Sequence, residues 1–371
     1  MKPIAVDLFA GAGGLSLGFE MAGFNIVAHL ESDPWACETL RKNFPGSLIV
    51  EKDINKIKPA DFEKLVGPVD VIIGGPPCQG FSLVGRGKLK SLGKHENDPR
   101  NKLYKKFLSF VETLQPKAFV MENVPGILMH NQGKTARTIK KHFEKIGYHV
   151  QAHLLTASEH GVPQTRKRVF FIGFKKPATF AIEKCDHVVT VKDAIGDLPC
   201  IKHGRGRPIM KYKKPAMNDY QLLMRTESEQ IHNHEARAYG VQDMEIFSIM
   251  RQGMKYHELP KRLKRYRDDT FRDKYKRLVN SEPSWTVVAH LQKDGYMYIH
   301  PTQDRTITVR EAARLQSFPD KFILMGPRSK QFRQVGNAVP PLLAKSVAMT
   351  ILTALENKEL TPLIQIPNSS R

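Results

Sequence analysis

The chain has 371 residues, which predicts about two domains at roughly 150 residues per domain. Hydrophobic residues make up 41% of it, so it can form a packed core and is not wholly disordered. Lys and Arg number 58 and Asp and Glu number 37, which gives a net charge of +21. This charge argues against an ordinary enzyme that acts on small neutral metabolites. It favours a polyanionic partner, with nucleic acid the first choice and an anionic membrane surface the second.

Predicted strands and helices alternate through the first 175 residues. Each predicted strand is a short apolar run flanked by turn residues or by a helical pattern. The strands are predicted at 4–9, 25–31, 47–53, 69–73 and 118–122, with a later hairpin-like pair at 149–156 and 167–174, and the helices at 15–22, 34–43 and 102–114 and again at 308–315 and 341–355. This order predicts an α/β fold with a doubly wound, mostly parallel, Rossmann-like sheet.

The alternation stops between about residues 176 and 300, where prolines interrupt a basic stretch. The net charge is −3 for residues 1–80, +11 for 81–200 and +9 for 201–280. We interpret the interrupted stretch as a smaller, irregular second domain that meets the polyanion. The acidic N-terminal part is then suited to a small ligand.

The four cysteines are too few for a disulfide framework, which favours a reducing, cytoplasmic compartment. No run approaches about 18 apolar residues and no long apolar segment opens the chain, so we predict neither a membrane span nor a signal peptide. We interpret Cys37, Cys185 and Cys200 as buried structural cysteines. No metal site is predicted, because no paired Cys-x-x-Cys motif accompanies Cys185 and His187.

A glycine-rich turn, Phe9–Gly14, follows the first predicted strand and opens the first helix. Glycines let a backbone turn tightly and approach a ligand closely. Glu31 ends the next strand about 20 residues on, a spacing that suits a carboxylate accepting both ribose hydroxyls. Asp53, near the end of the third strand, is suited to accept from an adenine amine. Together these residues predict an adenosine-containing ligand. The dinucleotide-binding motif Gly-x-Gly-x-x-Gly would place a third glycine at position 16, where this chain has Ser16. This difference disfavours NAD and leaves S-adenosylmethionine open.

A second group of chemically useful residues centres on Gly74–Ser82, where two prolines precede Cys78 and glycines flank the block. A cysteine at a strand end, near glycine amides and a helix start, has surroundings that stabilise a thiolate. Glu122 ends an adjacent predicted strand, so its carboxyl group is expected near Cys78. Arg166 and Arg168 are predicted on one strand face, because side chains alternate with a period of two.

Taken in order, these blocks resemble the DNA (cytosine-5)-methyltransferase family, in the compact single-chain form of bacterial restriction-modification enzymes. The resemblance covers nearly the whole chain except residues 185 to about 285, and six blocks in the family's order are very specific. The blocks are Asp7–Gly14, Pro76–Gln79, Glu122–Val124, Gln164-x-Arg166-x-Arg168, Arg305–Pro319 and Gln334–Pro341.

The resemblance implies methyl transfer from S-adenosylmethionine to carbon 5 of a flipped-out cytosine in a specific sequence of double-stranded DNA. It implies that Cys78 adds to carbon 6 of the base and that Glu122 bonds or protonates ring nitrogen 3. It assigns the carbonyl oxygen of the base to Arg168, with Arg166 in support. The cofactor contacts that it implies are Phe9, Gly11, Gly14, Glu31, Asp53, Pro77, Leu103 and Asn337.

The resemblance also implies a division of the chain into three parts. Residues 1–184 are expected to form the catalytic, cofactor-binding domain and residues 185–325 the target-recognition domain. Residues 326–371 are expected to rejoin the catalytic domain. A cognate restriction endonuclease is a further implied partner, and a monomer is favoured.

Three alternatives stay open at this point. A tRNA cytosine-5 methyltransferase shares the catalytic blocks, although the large basic insertion favours duplex DNA. A catalytically silent DNA-binding module is disfavoured by the intact Cys78, Glu122 and arginine pair. A nicotinamide dehydrogenase leaves the Pro-Pro-Cys-Gln block unexplained.

Overall fold

The structure, a computed structural model, describes residues 1–77, 103–266 and 274–356. Its main sheet has seven strands, β1 (Ile4–Leu8), β2 (Asn25–Glu31), β3 (Leu48–Glu51), β4 (Val71–Gly74), β5 (Ala118–Asn123), β6 (His149–Thr156) and β7 (Lys167–Phe174). They lie in the order β3-β2-β1-β4-β5-β7-β6. All neighbours are parallel except β7, which runs antiparallel to β5 and β6. The order reverses between β1 and β4, where an α/β sheet opens a crevice at its strand ends.

Helices cover both faces of this sheet. In chain order the helices of the described residues are α1 (Gly14–Met21), α2 (Pro34–Asn43), α3 (Pro59–Val66), α4 (Leu103–Leu114), α5 (Gly126–Met129), α6 (Lys134–Lys145), α7 (Val191–Ile195), α8 (Asp219–Arg225), α9 (Val241–Ile249), α10 (Val309–Leu315), α11 (Arg328–Asn337) and α12 (Pro341–Leu355). Successive strand residues enter opposite cores, because side chains alternate along a strand. Ala5 packs in the core that holds α1 and α12, and Val6 in the core that holds α3, α4 and α6.

The predicted doubly wound, mostly parallel sheet is confirmed. Strands β2, β6 and β7 and helices α2 and α12 have the predicted bounds, and the other predicted elements differ from the observed ones by a few residues at their ends. The predicted hairpin-like pair is the antiparallel pair β6 and β7.

The stretch expected to be irregular contains short regular elements. Strands β8 (Gly206–Lys211) and β9 (Gln230–Glu235) form an antiparallel pair, and the short helices α7, α8 and α9 also lie in this part of the chain. The apolar residues of the inserted stretch divide between two cores. Met224 and Ile231 pack with Phe332 of α11, whereas Phe247 and Tyr275 belong to a separate cluster. Elements of five to nine residues are too short for a clear apolar period, which explains why the sequence pattern missed them.

A buried ion-pair network joins α10 to the inserted stretch. Arg314 Nη1 lies 2.6 Å from Asp197 Oδ1, and its Nη2 lies 2.5 Å from Asp320 Oδ2, with no exposed side-chain surface on any of the three residues. Arg225 also pairs with Asp197. A buried pair gives little net stability over apolar packing, but a charge left in it without a partner is strongly destabilising.

The stretch Arg328–Leu355 is long and apolar enough to cross a membrane by length and composition alone. It comprises the separate helices α11 and α12, and half of its most apolar window is buried inside the protein. Leu343, Val347 and Ile351 of α12 pack on the sheet core. We therefore interpret this stretch as core helices.

Replacing Arg314 should destabilise the fold. Arg314→Met leaves two buried carboxylates without their shared cation, and we expect a loss of about 3–5 kcal/mol in the free energy of unfolding. The matched control is Arg41→Met, which breaks the exposed pair with Glu51 and should cost about 1 kcal/mol or less. Denaturant titration of both variants measures the difference, and equal losses would contradict the importance of the network.

Candidate functional site

Two adjoining cavities open beyond the carboxyl ends of the central strands. Cavity A, of about 820 Å³, is lined by Leu30, Lys52, Asp53, Ile54, Asn55, Leu103, Lys105, Lys106 and Ser109. Cavity B, of about 450 Å³, is lined among others by Asp7, Gly11, Gly14, Asp33, Glu122, Arg168, Lys330, Arg333 and Asn337. The two share Phe9, Glu31, Ser32 and Pro77. Their joint position at the switch between β1 and β4 is where ligands bind in sheets of this class.

The turn after β1 is held in a backbone conformation that few side chains adopt. Phe9 has a φ of 65°, and Gly11 and Gly13 have φ values of 55° and 84°. The backbone N–H groups of Phe9 and Ala10 both donate to Leu30 O, at 3.0 and 3.2 Å. A strained non-glycine residue persists where its surroundings over-determine it, often beside a ligand site.

Glu31 fixes this turn against the end of β2. Its Oε2 accepts the N–H of Gly11 at 2.7 Å, and its Oε1 accepts the N–H groups of Ser32 and Asp33 at 2.7 and 2.8 Å. The carboxylate was predicted to accept ribose hydroxyls. It lines both cavities, and its backbone bonds hold it in place there.

The remaining predicted cofactor residues also line the cavities. Asp53, Leu103 and Pro77 border cavity A, and Asn337 borders cavity B. Asp53 is exposed, and its Oδ1 accepts the N–H of Asn55 at 2.9 Å. All the residues predicted for the cofactor are thus gathered around one continuous crevice, although they come from distant parts of the sequence.

The approach of the C-terminal segment to this crevice depends on Gly14. A Cβ atom at Gly14 would lie 2.3 Å from the backbone oxygen of Val339. Gly14 begins α1, and Val339 is two residues beyond the predicted cofactor residue Asn337. Gly14 is predicted to contact a ligand. The structure gives a second reason for a glycine at this position, because a side chain here would collide with the backbone of Val339.

Glu122 and Arg168 form an ion pair in the wall of cavity B. Arg168 Nε lies 2.6 Å from Glu122 Oε1, and each side chain is 13% exposed. Burial raises the pKa of Glu122, although Arg168 and Arg166 oppose the rise. A carboxyl group of raised pKa can hold and donate a proton near neutral pH.

The segment before Cys78 lies against this pair. A Cβ atom at Gly75 would be 2.9 Å from Glu122 Oε2, and Asn123 Nδ2 donates to Pro76 O at 3.3 Å. Cys78 itself lies outside the described residues, so its predicted position is untested. Of the other cysteines, Cys37 is buried as expected, and burial raises the pKa of its thiol to about 12.

The expectation that the remaining two cysteines are buried is wrong. Cys185 and Cys200 are exposed, and each lies outside the helices and strands. None of the described cysteines lines cavity A or cavity B.

Arg166 is buried behind the site and does not line either cavity. Its Nη1 donates to Val287 O at 2.6 Å and its Nη2 to Gly336 O at 3.0 Å. These bonds fix neighbouring chain segments behind the site, and the predicted role of Arg166 in support of Arg168 stays a prediction.

Two buried glutamines behind the site, Gln164 and Gln316, were given no role in the sequence analysis. Gln164 Nε2 donates to Gln316 Oε1 at 2.8 Å, and Gln164 Oε1 accepts the N–H of Val287 at 2.7 Å. Gln316 Nε2 in turn donates to Val335 O at 2.6 Å. Both glutamines are fully buried. The available signal was that each glutamine lies within one of the sequence blocks described above. Residue type alone does not distinguish a buried glutamine from an exposed one.

Comparisons with known proteins agree across nearly the whole chain. A family model described as C-5 cytosine-specific DNA methylase matches residues 4–353. The Type II methyltransferase M1.HphI of Haemophilus parahaemolyticus is 38% identical over 358 residues, which cover 95% of this chain and 87% of the relative. The Type II methyltransferase M.DdeI of Desulfomicrobium norvegicum is 38% identical over 385 residues, which cover 96% and 90%.

A solved structure from E. coli, described as a DNA modification methyltransferase encoded within a prophage, has a similar fold. It superposes with a TM-score of 0.78 at 30% identity, and the match covers 96% of this chain and all of that one.

Adding one methyl group at Gly14 should disturb the junction between α1 and the C-terminal segment. In Gly14→Ala the new Cβ meets backbone that cannot rotate away, so we expect a loss of about 1–3 kcal/mol in the free energy of unfolding. The control is Gly46→Ala, where no atom of the described residues other than its chain neighbours lies within 4 Å of the added Cβ. Thermal unfolding compares them, and a Gly14→Ala variant as stable as the control would refute the close contact.

Proposed function

The chain belongs to the C-5 cytosine-specific DNA methylase family and is a DNA cytosine-5 methyltransferase, and we propose that it uses S-adenosylmethionine and a covalent adduct of Cys78 with a flipped-out cytosine. The observation that carries the proposal is the Glu122–Arg168 pair. It lies beside Pro76 and Pro77, in the wall of the cavity that the glycine turn also lines. A duplex base cannot reach such a recess without leaving the stack.

The residues around the crevice fit S-adenosylmethionine. When bound, that molecule supplies an electrophilic methyl group on a sulfonium. Glu31 and Asp53 are the proposed acceptors for the ribose hydroxyls and the adenine amine. Phe9, Pro77 and Leu103 are the proposed apolar contacts of the adenosine, and they border cavity A. Gly11, Gly14 and Asn337 border cavity B.

The chemistry proposed for the base begins at the Cys78 thiolate. The sulfur adds to carbon 6, which makes carbon 5 nucleophilic enough to accept a methyl group. Glu122 bonds or protonates ring nitrogen 3 as charge develops, and Arg168 binds the carbonyl oxygen. The proton on carbon 5 then leaves as an unidentified base accepts it, and the sulfur is eliminated to restore the aromatic ring.

The recognition role is proposed for residues 185–325, with residues 1–184 and 326–371 forming the catalytic part. Residues 201–280 carry a net charge of +9, which suits the phosphates of double-stranded DNA. By likeness to the Type II relatives, we propose that the methylation protects host DNA against a cognate endonuclease in the cytoplasm.

Cys78→Ala should abolish methylation in a host that expresses the chain. Bisulfite sequencing of host DNA is expected to show 5-methylcytosine in a fixed sequence context for the unaltered chain and none for the variant. The matched control is Cys200→Ala at an exposed cysteine outside both cavities, which should methylate normally.

The covalent step has its own readout. An oligonucleotide with 5-fluorocytosine at the target position should trap the unaltered chain as a stable adduct, because fluorine blocks the final loss of the proton. Methylation by Cys78→Ala, or failure of the trap on an oligonucleotide that is otherwise methylated, contradicts the proposed adduct.

Glu122→Gln should slow the reaction without weakening cofactor binding. Loss of a positioned general acid lowers kcat by about 10²–10⁴-fold, and Glu112→Gln on the exposed face of α4 is the matched control. Because burial raises the pKa of Glu122, its acidic form persists to higher pH, and kcat should fall as pH rises through that pKa. The Gln variant should lack this part of the pH profile, and an unchanged profile would count against the acid role.

A further inference from the structure

Helix α6 (Lys134–Lys145) carries a concentration of positive charge that the proposed function does not use. It contains five basic residues and one acidic residue, which gives it a net charge of +4. The helix belongs to residues 81–200, whose net charge of +11 lies largely outside the part proposed to recognise DNA. The catalytic part of the chain therefore has a basic surface of its own.

Four of the basic side chains of α6 form a row along its exposed side, which we call the basic stripe. Their spacings of three, four and four residues place them on one face of a helix. All four are exposed, whereas Ile139 and Phe143 of the same helix are buried in the core beside the sheet. A rise of about 1.5 Å per residue gives the stripe a length of roughly 16 Å. The stripe comprises Lys134, Arg137, Lys141 and Lys145.

Within the part of the chain that the structure describes, no carboxylate forms an ion pair with the stripe. Glu144, the acidic residue of α6, pairs with Lys140, which is not one of the four, at 3.6 Å. Arg137 Nη2 donates to Gln132 O at 2.9 Å, a bond that leaves the guanidinium charge uncompensated. Like charges four residues apart destabilise a helix, so a polyanion at this surface would relieve a repulsion that the fold tolerates.

Helix α6 begins at the edge of the sheet where the crevice opens. It follows β5, which ends at Asn123 beside Glu122 of cavity B. Both α4 and α6 run away from this edge, because each leads to the amino end of a strand parallel to β4 or β5. Near the start of α4, the ring of Tyr104 stacks on His142 with centroids 6.0 Å apart. The residues of α6 from Lys134 to this contact therefore extend about 12 Å further toward the crevice edge.

The chemistry of the stripe suits a phosphate backbone better than a membrane or a protein. Every exposed residue of α6 is polar or charged. A helix that binds a membrane surface buries an apolar face in it, and the core of a protein interface is rich in aromatic and apolar side chains. The apolar face of α6 is already packed on the sheet. Lys and Arg side chains at phosphates supply affinity for nucleic acid of any sequence.

We propose that the basic stripe of α6 binds the phosphates of double-stranded DNA that flanks the methylated sequence. This inference rests on the proposed function, because a base that enters cavity B holds its duplex over the crevice edge. The DNA beyond the target then passes the beginning of α6. The stripe adds affinity outside the recognition part, and it does so without reading sequence.

The test measures DNA binding by full-length variants over a series of salt concentrations. Each phosphate contact that is lost should lower the slope of log affinity against log salt by about 0.9, so removal of three cations should lower it by roughly two to three. The stripe variant combines Lys134→Gln, Arg137→Gln and Lys141→Gln. The matched control removes the same charge from exposed lysines away from the crevice edge, where the slope should not change, and combines Lys2→Gln, Lys64→Gln and Lys176→Gln.

Duplex length gives a second readout that a general charge effect would not move. Bisulfite sequencing identifies the target, and two duplexes are built on it, one that ends close to the target and one with long flanks. The unaltered chain and the control variant should bind the long duplex more tightly than the short one. The stripe variant should lose this gain and should bind S-adenosylhomocysteine as the unaltered chain does.

A charge-conserving variant separates contacts with DNA from effects on the fold. Lys134→Arg combined with Lys141→Arg should keep both the salt slope and the gain from flanking DNA. Loss of either in this variant would assign the residues a structural role and overturn the inference. A stripe variant that behaves like the control overturns it as well and leaves the proposed function standing. An unaltered chain that binds neither duplex contradicts the proposed function and the inference with it.

Discussion

The buried guanidinium of Arg166 joins three parts of the chain that are far apart in sequence. It projects from the chain just before β7, and it donates to the carbonyl oxygens of Val287 in the inserted stretch and Gly336 in α11. Two residues further on, Arg168 reaches the cavity wall and pairs with Glu122. The same short segment therefore presents one arginine to the site and uses the other to hold the surrounding walls.

This arrangement makes the inserted stretch part of the structure that surrounds the crevice. The Gln164–Gln316 bond lies in the same buried layer, and Gln316 also holds Val335 close to Asn337. A buried polar network stabilises a unique arrangement when all its members are bonded, and each broken bond leaves an unsatisfied group in a low-dielectric interior. Arg166 and Gln316 thus connect the inserted stretch to residues 335–337, part of which borders cavity B. Long-range contacts of this kind are also the slow ones to form in folding.

The sequence predicted the parts of this structure that depend on local patterns. Buried parallel strands leave apolar runs, and the polar residues that follow them, such as Glu31 and Glu122, mark the ligand edge of the sheet. What the sequence did not reveal depends on contacts between distant residues. The bond from Ser16 of α1 to Asp7 of β1 and the bond between Gln164 and Gln316 form only when separate segments of the chain pack together. The exposure of Cys185 likewise follows from its loop and not from its residue type.

Acidic and basic residues are distributed unevenly along the chain, and this distribution suits the two proposed ligands. The proposed donor is cationic at its sulfur and ammonium, whereas the DNA acceptor is a polyanion, and both must meet in one crevice. Residues 1–80 have a net charge of −3 in a chain of +21, and they supply Asp7, Glu31, Asp33 and Asp53 to the cavities. An isolated acidic site would repel the phosphates that deliver the base. Here the backbone N–H groups that bond to Glu31 and Asp33 offset part of that negative potential, and burial raises the pKa of Asp7 to about 8, which favours its uncharged form at pH 7.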